Sequence, residues 1–151
     1  MTGDGPEKAR LQALVARYQL NDRVHFPGFV NREQVSQLLA ATHLFVMPSI
    51  VAPSGDRDGT PTVIAEALLH EIPVVATRVC GIPEMVRPDD TGWLVPPEDP
   101  EALATAMAQA LADPAEAHRR ALNGGRLMRA EFDSEKNYRR LLARFASLTG
   151  G

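Results

Sequence analysis

Apolar residues follow two different patterns along this chain. They recur at helical spacing in five segments, which we predict to be helices: about 6–19, 31–41, 61–70, 99–113 and 134–148. Short apolar runs predict four strands: 24–26, 43–47, 73–77 and 93–95. A further helix is predicted from Pro114, with an interruption around 123–125 where two glycines occur together. Helices that alternate with short apolar strands predict an α/β fold, a Rossmann-like parallel sheet with helices on both faces.

Local signals refine these elements. Asn31 is followed three residues later by Gln34, the spacing of a capping box. The 43–47 run is apolar throughout, which is typical of a strand buried on both faces. In the helix that follows Asp99, the buried face is predicted from three larger apolar residues: Leu103, Met107 and Leu111.

Composition narrows the class of protein. A length of 151 residues fits a single domain over 1–151, with a C-terminal helix at about 134–149. The net charge of −3 argues against a nucleic-acid partner. The single cysteine, Cys80, excludes an internal disulfide and a multi-cysteine metal site. With no visible signal peptide or apolar run near ~20 residues, we expect a cytoplasmic protein. The arginines of the late helices, among them Arg119 and Arg120, are predicted to form a solvated face or a surface that docks on another domain.

The stretch from Asp58 to Glu66 combines signals for an anion site. Thr60 is the predicted N-cap of the helix that follows, and Pro61 its first residue. The next free amides, those of Thr62 and Val63, would point out of the helix start and suit a phosphate.

Two flanking features add to this prediction. Gly59 would let the backbone approach a ligand closely, and Glu66 would share a helix face with the two amides. The loop also follows the 43–47 strand, and ligands of open α/β sheets bind at the carboxyl ends of strands. An ordinary capped helix with a solvated glutamate is the alternative interpretation.

Several segments together resemble one family. They are Gly3-Asp4-Gly5-Pro6, Val24 to Val30, Val46-Met47-Pro48-Ser49, Asp58-Gly59-Thr60-Pro61 with Glu66-Ala67, Ile72 to Thr77, Gly81-Ile82-Pro83-Glu84, and Thr91 to Pro97. Their order and spacing resemble the C-terminal, nucleotide-sugar-binding domain of retaining GT-B glycosyltransferases, glycosyltransferase family 4. The resemblance runs from residue 3 to about residue 145. It implies the C-terminal half of a GT-B fold that lacks its first strand-helix unit, so that the 24–26 strand has no partner beside it.

The resemblance also implies roles for residues. Asp58 and Glu66 match the family's pair of acidic residues, and we treat both as candidate catalytic residues; the first of the pair is more often Glu. Glu66 would bind the ribose diol, whose two hydroxyls suit a carboxylate. Asp58 would contact the donor sugar. The loop and helix start, Gly59, Thr60, Pro61, Thr62 and Val63, would hold the diphosphate and nearby sugar oxygens. Phe29 and Val30 would flank the nucleobase, although Phe29 could equally be a core residue.

The implied reaction is transfer of a glycosyl group from a nucleotide diphosphate sugar to an acceptor, with retention at the anomeric carbon. The chain would supply the donor-binding half, with no metal and no other cofactor expected and no catalytic base assigned. The acceptor-binding N-terminal domain would be missing, so we expect a fragment that is inactive alone. Membrane association would occur only through absent parts. The alternatives are a non-catalytic nucleotide-sugar-binding module and a sugar-nucleotide epimerase of similar architecture.

Overall fold

The computed structural model describes residues 2, 4–52, 54–55 and 59–149. The chain divides into two compact units, Met1–Ala41 and Thr42–Gly151, and each is described by itself. The assignment of 1–151 to one domain stays a prediction. Asp58 lies outside the described residues.

The first unit contains two helices, α1 (Lys8–Arg17) and α2 (Arg32–Ala40). The capping box at the start of α2 is confirmed. The Asn31 side chain accepts a hydrogen bond from the Gln34 amide, and the Gln34 side chain accepts one from the Asn31 amide, both at 2.9 Å. These two bonds satisfy amide groups that a helix start otherwise leaves without a partner.

The predicted strand at 24–26 is wrong, because these residues form no strand. Nearby, Thr2 and Gly28 form an isolated parallel bridge. A strand is stabilised by a ladder of backbone hydrogen bonds, and among the described residues the pairing here stops at that bridge. Gly28 has a φ of +75°, and a Cβ there would lie 3.3 Å from a carboxylate oxygen of Asp4. The turn after 24–27 therefore requires glycine.

The second unit holds a three-stranded parallel sheet of order β1-β2-β3. Its elements in chain order are β1 (Phe45–Met47), α3 (Thr62–Leu69), β2 (Val74–Thr77), α4 (Ile82–Met85), β3 (Trp93–Val95), α5 (Pro100–Ala112), α6 (Pro114–Glu131) and α7 (Ser134–Thr149). In register, Val46 pairs with Val75, and Ala76 pairs with Leu94. The predicted α/β class, a parallel sheet with helices on both faces, is confirmed.

Burial differs between the strands. All four residues of β2 are buried. The residues of β1 are only partly buried, so the prediction of a strand buried on both faces is wrong there. β2 has a neighbouring strand on each side, whereas β1 has only one in the described sheet. Trp93 and Val95 of the other edge strand, β3, are buried because they pack in a cluster with Ala106 and Ala110.

The helix α5 packs on β2 and β3 through small side chains. Ala106 and Ala110 are buried in a cluster with Val75 and Val95, and Leu103 and Met107 pack partly buried against it. Leu111, predicted to be buried, is 61% exposed. The sheet thus meets the alanine side of the helix, where the backbones can approach closely.

The helix α6 is continuous, so the predicted interruption at 123–125 is wrong. Both glycines are buried within the helix. A Cβ at Gly124 would lie 2.5 Å from the Cδ2 atom of Leu68 on α3. These glycines therefore allow α6 to pack closely against α3, which offsets their low helix propensity.

Arg120 is buried, which corrects its assignment to a solvated face. It is 9% exposed, and its guanidinium lies 4.3 Å from the centroid of the Trp93 ring. It donates hydrogen bonds to Gly92 O at 2.8 Å, to Glu116 Oε1 at 2.7 Å and to Asp89 Oδ1 at 3.2 Å. The three groups that accept these hydrogen bonds all belong to the second unit.

We expect Glu116 to make the free energy of unfolding depend on pH in the acidic range. Hydrogen bonds from Arg119 and Arg120 lower the pKa of Glu116 from 4.5 to about 2. A lowered folded-state pKa stabilises the fold above the unfolded value, and this stabilisation is lost as the pH falls from about 4.5 towards 2. The wild type should therefore exceed Glu116→Gln in unfolding free energy by the largest amount at neutral pH. This difference should shrink as the pH falls from about 4.5 towards 2. Denaturant unfolding across pH tests this, with the exposed Glu101→Gln as control, and a difference that stays constant would contradict it.

The helix α7 confirms the predicted C-terminal helix. Its larger apolar residues, Tyr138, Leu141, Leu142, Phe145 and Leu148, are each about half exposed or more. No helix in the described part of the chain combines the length and the apolar character that crossing a membrane needs.

Candidate functional site

Two crossover segments meet at the carboxyl edge of the sheet in the second unit. The loop after β1 runs from residue 48 to 61, and the segment after β2 runs from 78 to 81. The Thr77 hydroxyl, at the end of β2, donates to Ser49 O at 2.5 Å. The Gly81 amide donates to Gly59 O at 2.9 Å. The two segments are thus tied together at the edge where open α/β sheets bind ligands.

The start of α3 differs by one residue from the prediction. Pro61, not Thr60, is the N-cap, with φ −65° and ψ 109°, and the helix begins at Thr62. The extended ψ of Pro61 keeps it outside the helix, so the assignment of Thr60 as the cap is wrong. The amides that lack a partner within the helix are nevertheless those predicted. Neither Thr62 nor Val63 has an acceptor within its own helix, since the first amides of any helix lack one.

The start of α3, with the amides of Thr62 and Val63, has the features of an anion-binding site, which we call the anion seat. The Thr62 side chain is exposed and Val63 is partly buried, whereas Pro61 and Ile64 are buried and hold the helix start in place. Free amides and the positive end of the helix dipole both favour negative charge there.

Glu66 is partly buried on the same helix, four residues after Thr62 and three after Val63. Residues at these spacings share a helix face, so the carboxylate lies along the side that carries the two amides. Among the residues that the structure describes, no hydrogen bond or ion pair engages this carboxylate. Its acceptor oxygens are therefore available to a ligand. The position of Asp58 relative to Glu66 stays a prediction.

Phe29 and Val30 belong to the first unit. Phe29 is 84% exposed, so the alternative that it is a core residue is wrong. Val30 is partly buried and lines a surface cavity of about 290 Å³ together with Pro27, Gln34 and Leu38. Their contact with a nucleobase stays a prediction.

Thr77 and Gly81 are site residues to which sequence reasoning assigned no role. Both occur in segments that carried the family resemblance, but a resemblance does not reveal hydrogen bonds between loops. As for metals, the described residues bring no three His, Cys, Asp or Glu side chains together as a metal ion would need. Whether the protein uses a metal or another cofactor stays a prediction.

A sequence model of one protein family, described as glycosyl transferases group 1, matches residues 1–128. The chain belongs to the glycosyl transferases group 1 family. The predicted resemblance to the C-terminal domain of GT-B glycosyltransferases is thereby confirmed at the level of the family. Membership also argues against the alternative of an epimerase.

Individual relatives and solved structures extend this comparison. WcaL of Escherichia coli (strain K12), which is named as a colanic acid biosynthesis glycosyltransferase, is 43% identical over 106 residues, covering 70% of this chain and 26% of WcaL. The structure of sucrose-phosphate synthase (tll1590) from Thermosynechococcus elongatus matches with a TM-score of 0.80 and 33% identity, over 98% of this chain and 37% of that one. Anabaena Alr3699/HepE, solved in complex with UDP-glucose, matches with a TM-score of 0.81 and 27% identity, over 97% and 40%. This member of the group 1 family thus spans roughly a quarter to two fifths of the length of these relatives.

Proposed function

We propose that this chain supplies the donor-binding half of a retaining glycosyltransferase. One observation carries the proposal: the start of α3 opens at the carboxyl edge of the sheet, and the Glu66 carboxylate, which no described residue engages, lies on the same helix face. The group 1 family and the HepE structure with UDP-glucose support a nucleotide sugar as the ligand.

Each part of this site suits one part of such a donor. The Glu66 carboxylate can accept a hydrogen bond from each hydroxyl of a ribose diol. The amides of Thr62 and Val63 can bind the diphosphate, where negative charge grows as the bond to the sugar breaks. Asp58 is proposed to bind hydroxyls of the donor sugar. The leaving diphosphate is the group that the site stabilises, so the carboxylates are not proposed to work as a glycosidase acid and nucleophile.

Further parts of the proposal concern the whole protein. Transfer would retain the configuration of the anomeric carbon, and the acceptor would bind to a separate domain. We propose that no metal is needed, because backbone amides and cationic side chains can neutralise a diphosphate. The 151 residues alone would bind the donor without turning it over.

A calorimetric titration with UDP-glucose, GDP-glucose and ADP-glucose tests the proposal, since these differ only in the base. We expect at least one to bind with a Kd between about 1 μM and 1 mM, the range of typical KM values. Glucose 1-phosphate, which lacks the nucleoside and one of the two phosphates, serves as control and should bind much more weakly. Absence of binding by all three donors would contradict the proposed function. Binding without turnover by a longer protein that contains this sequence would instead favour the non-catalytic module.

A further inference from the structure

We propose that Gly81 is a positioning residue that, together with Thr77, sets the geometry of the loop leading into the anion seat. The inference rests on the proposed function, because it assigns to the segment after β2 the task of holding the loop after β1, residues 48–61, which we call the donor loop. Neither residue needs to touch the donor itself.

Gly81 lies too close to the donor loop to carry a side chain. A Cβ there would lie 2.7 Å from Thr60 Oγ1 and 2.9 Å from Gly59 O. The φ of Gly81 is −80°, which any residue adopts, so the requirement for glycine comes from space and not from backbone angle. Its amide also donates to Gly59 O at 2.9 Å. Gly81 therefore both contacts the donor loop and hydrogen-bonds to it.

The segment that holds Gly81 lies between buried residues, whereas the part of the donor loop that it contacts is exposed. Val79 and Ile82 flank Gly81 closely in sequence, and both are buried. Gly59 and Thr60 are exposed. A side chain added at position 81 would therefore displace the exposed loop and not the buried segment.

Thr77 supplies the second tether. It is buried at the end of β2, and its hydroxyl donates to Ser49 O. Ser49 stands near the beginning of the donor loop and Gly59 near its end. The loop is thus fixed at both ends to one buried strand and the turn after it. A fixed loop reduces the ordering cost of donor binding, which favours affinity.

The test is Gly81→Ala, titrated with UDP-glucose in the full 151-residue chain. We expect the Kd to rise about tenfold or more, because small misplacements of binding groups weaken binding strongly. Gly92→Ala is the matched control. Its Cβ would lie 2.6 Å from Val74 O, a comparable clash, but it precedes β3 and so lies at the opposite edge of the sheet. This control should lose stability while the folded protein keeps the wild-type Kd.

A second pair of variants tests the contact itself. Thr60→Ala removes the hydroxyl at 2.7 Å, so the double variant Thr60→Ala/Gly81→Ala should recover part of the lost affinity. A wild-type Kd in Gly81→Ala, an equal loss in Gly92→Ala, or no recovery in the double variant would each overturn the inference.

Hydrogen exchange of the amide at position 81, which donates to Gly59 O, adds a measurement that needs no ligand. Exchange should accelerate in Gly81→Ala and remain unchanged in Gly92→Ala. If the wild type binds no donor, the proposed function fails and this exchange measurement alone decides the inference. If Gly81→Ala does not fold, Thr77→Val removes the hydrogen bond to Ser49 O without added bulk, and it should raise the exchange of amides around Ser49. Unchanged exchange there would overturn the inference.

Discussion

Replacing Arg120 with methionine is expected to lower the free energy of unfolding by about 2–4 kcal/mol. The substitution keeps most of the apolar contact with Trp93 but removes every hydrogen-bond donor of the guanidinium. The carbonyl of the buried Gly92 then loses its 2.8 Å hydrogen bond, and an unsatisfied buried acceptor costs about 1–3 kcal/mol. Loss of the cation–π contact adds about 0.5–2 kcal/mol.

Arg119→Met is the matched control for this substitution. Arg119 also hydrogen-bonds to Glu116, at 2.7 Å, but its side chain is half exposed. Exposed ion pairs contribute about 1 kcal/mol or less, so this variant should be close to wild type. Denaturant unfolding of both variants measures the difference. Equal losses would contradict the account of Arg120 as a buried, packed cation.

The sequence contained enough to predict all three strands and the longer helices of the second unit, because their signals are local. Proline and aspartate begin α5 and α6 where predicted, with Asp99 and Asp113 accepting hydrogen bonds from Ala102 and Glu116 amides. The capping signals placed the first residue of α3 at Pro61, one residue before the observed start at Thr62.

What the sequence did not predict depends on neighbours that are distant along the chain. The 24–26 segment has the composition of a strand, but composition does not provide a pairing partner. The glycines at 124–125 suggest a break in an isolated helix, whereas their contact with Leu68 explains a continuous one. Arg120 follows Glu116 at the spacing of a surface pair, so nothing local distinguished it from Arg119.

The same limit applies to the site. Thr62, Val63 and Glu66 could be placed on one face from helix periodicity alone. The cap moved from Thr60 to Pro61 because the ψ angle of Pro61 is fixed by the surrounding fold. The hydrogen bonds from Thr77 and Gly81 join residues that are at least 22 positions apart in sequence, the separation of Gly59 and Gly81. Periodicity carries no information on such contacts.

Replacing Glu66 with alanine should weaken donor binding by about 10- to 150-fold. A hydrogen bond to a charged group contributes about 1.5–3 kcal/mol, and each 1.4 kcal/mol is a factor of ten in Kd. Glu66 has no engaged partner among the described residues, so its removal should leave the fold intact. The loss should therefore appear in affinity and not in the thermal transition.

Two comparisons assign the loss to the ribose diol. Glu71→Gln alters a carboxylate at the opposite end of α3, where it pairs with Arg129 at 3.1 Å, and it should leave the Kd unchanged. A donor whose ribose lacks both hydroxyls should bind the wild type more weakly. It should bind the Glu66→Ala variant about as well as the normal donor binds that variant.

The most direct test is the ratio of the Kd values of Glu66→Ala and wild type for the same nucleotide sugar, measured by calorimetry. The donor is the one with the highest affinity among UDP-glucose, GDP-glucose and ADP-glucose. A ratio of about 10 to 150 is predicted. A ratio of one, with both proteins folded, would contradict the assignment of Glu66 to the donor site.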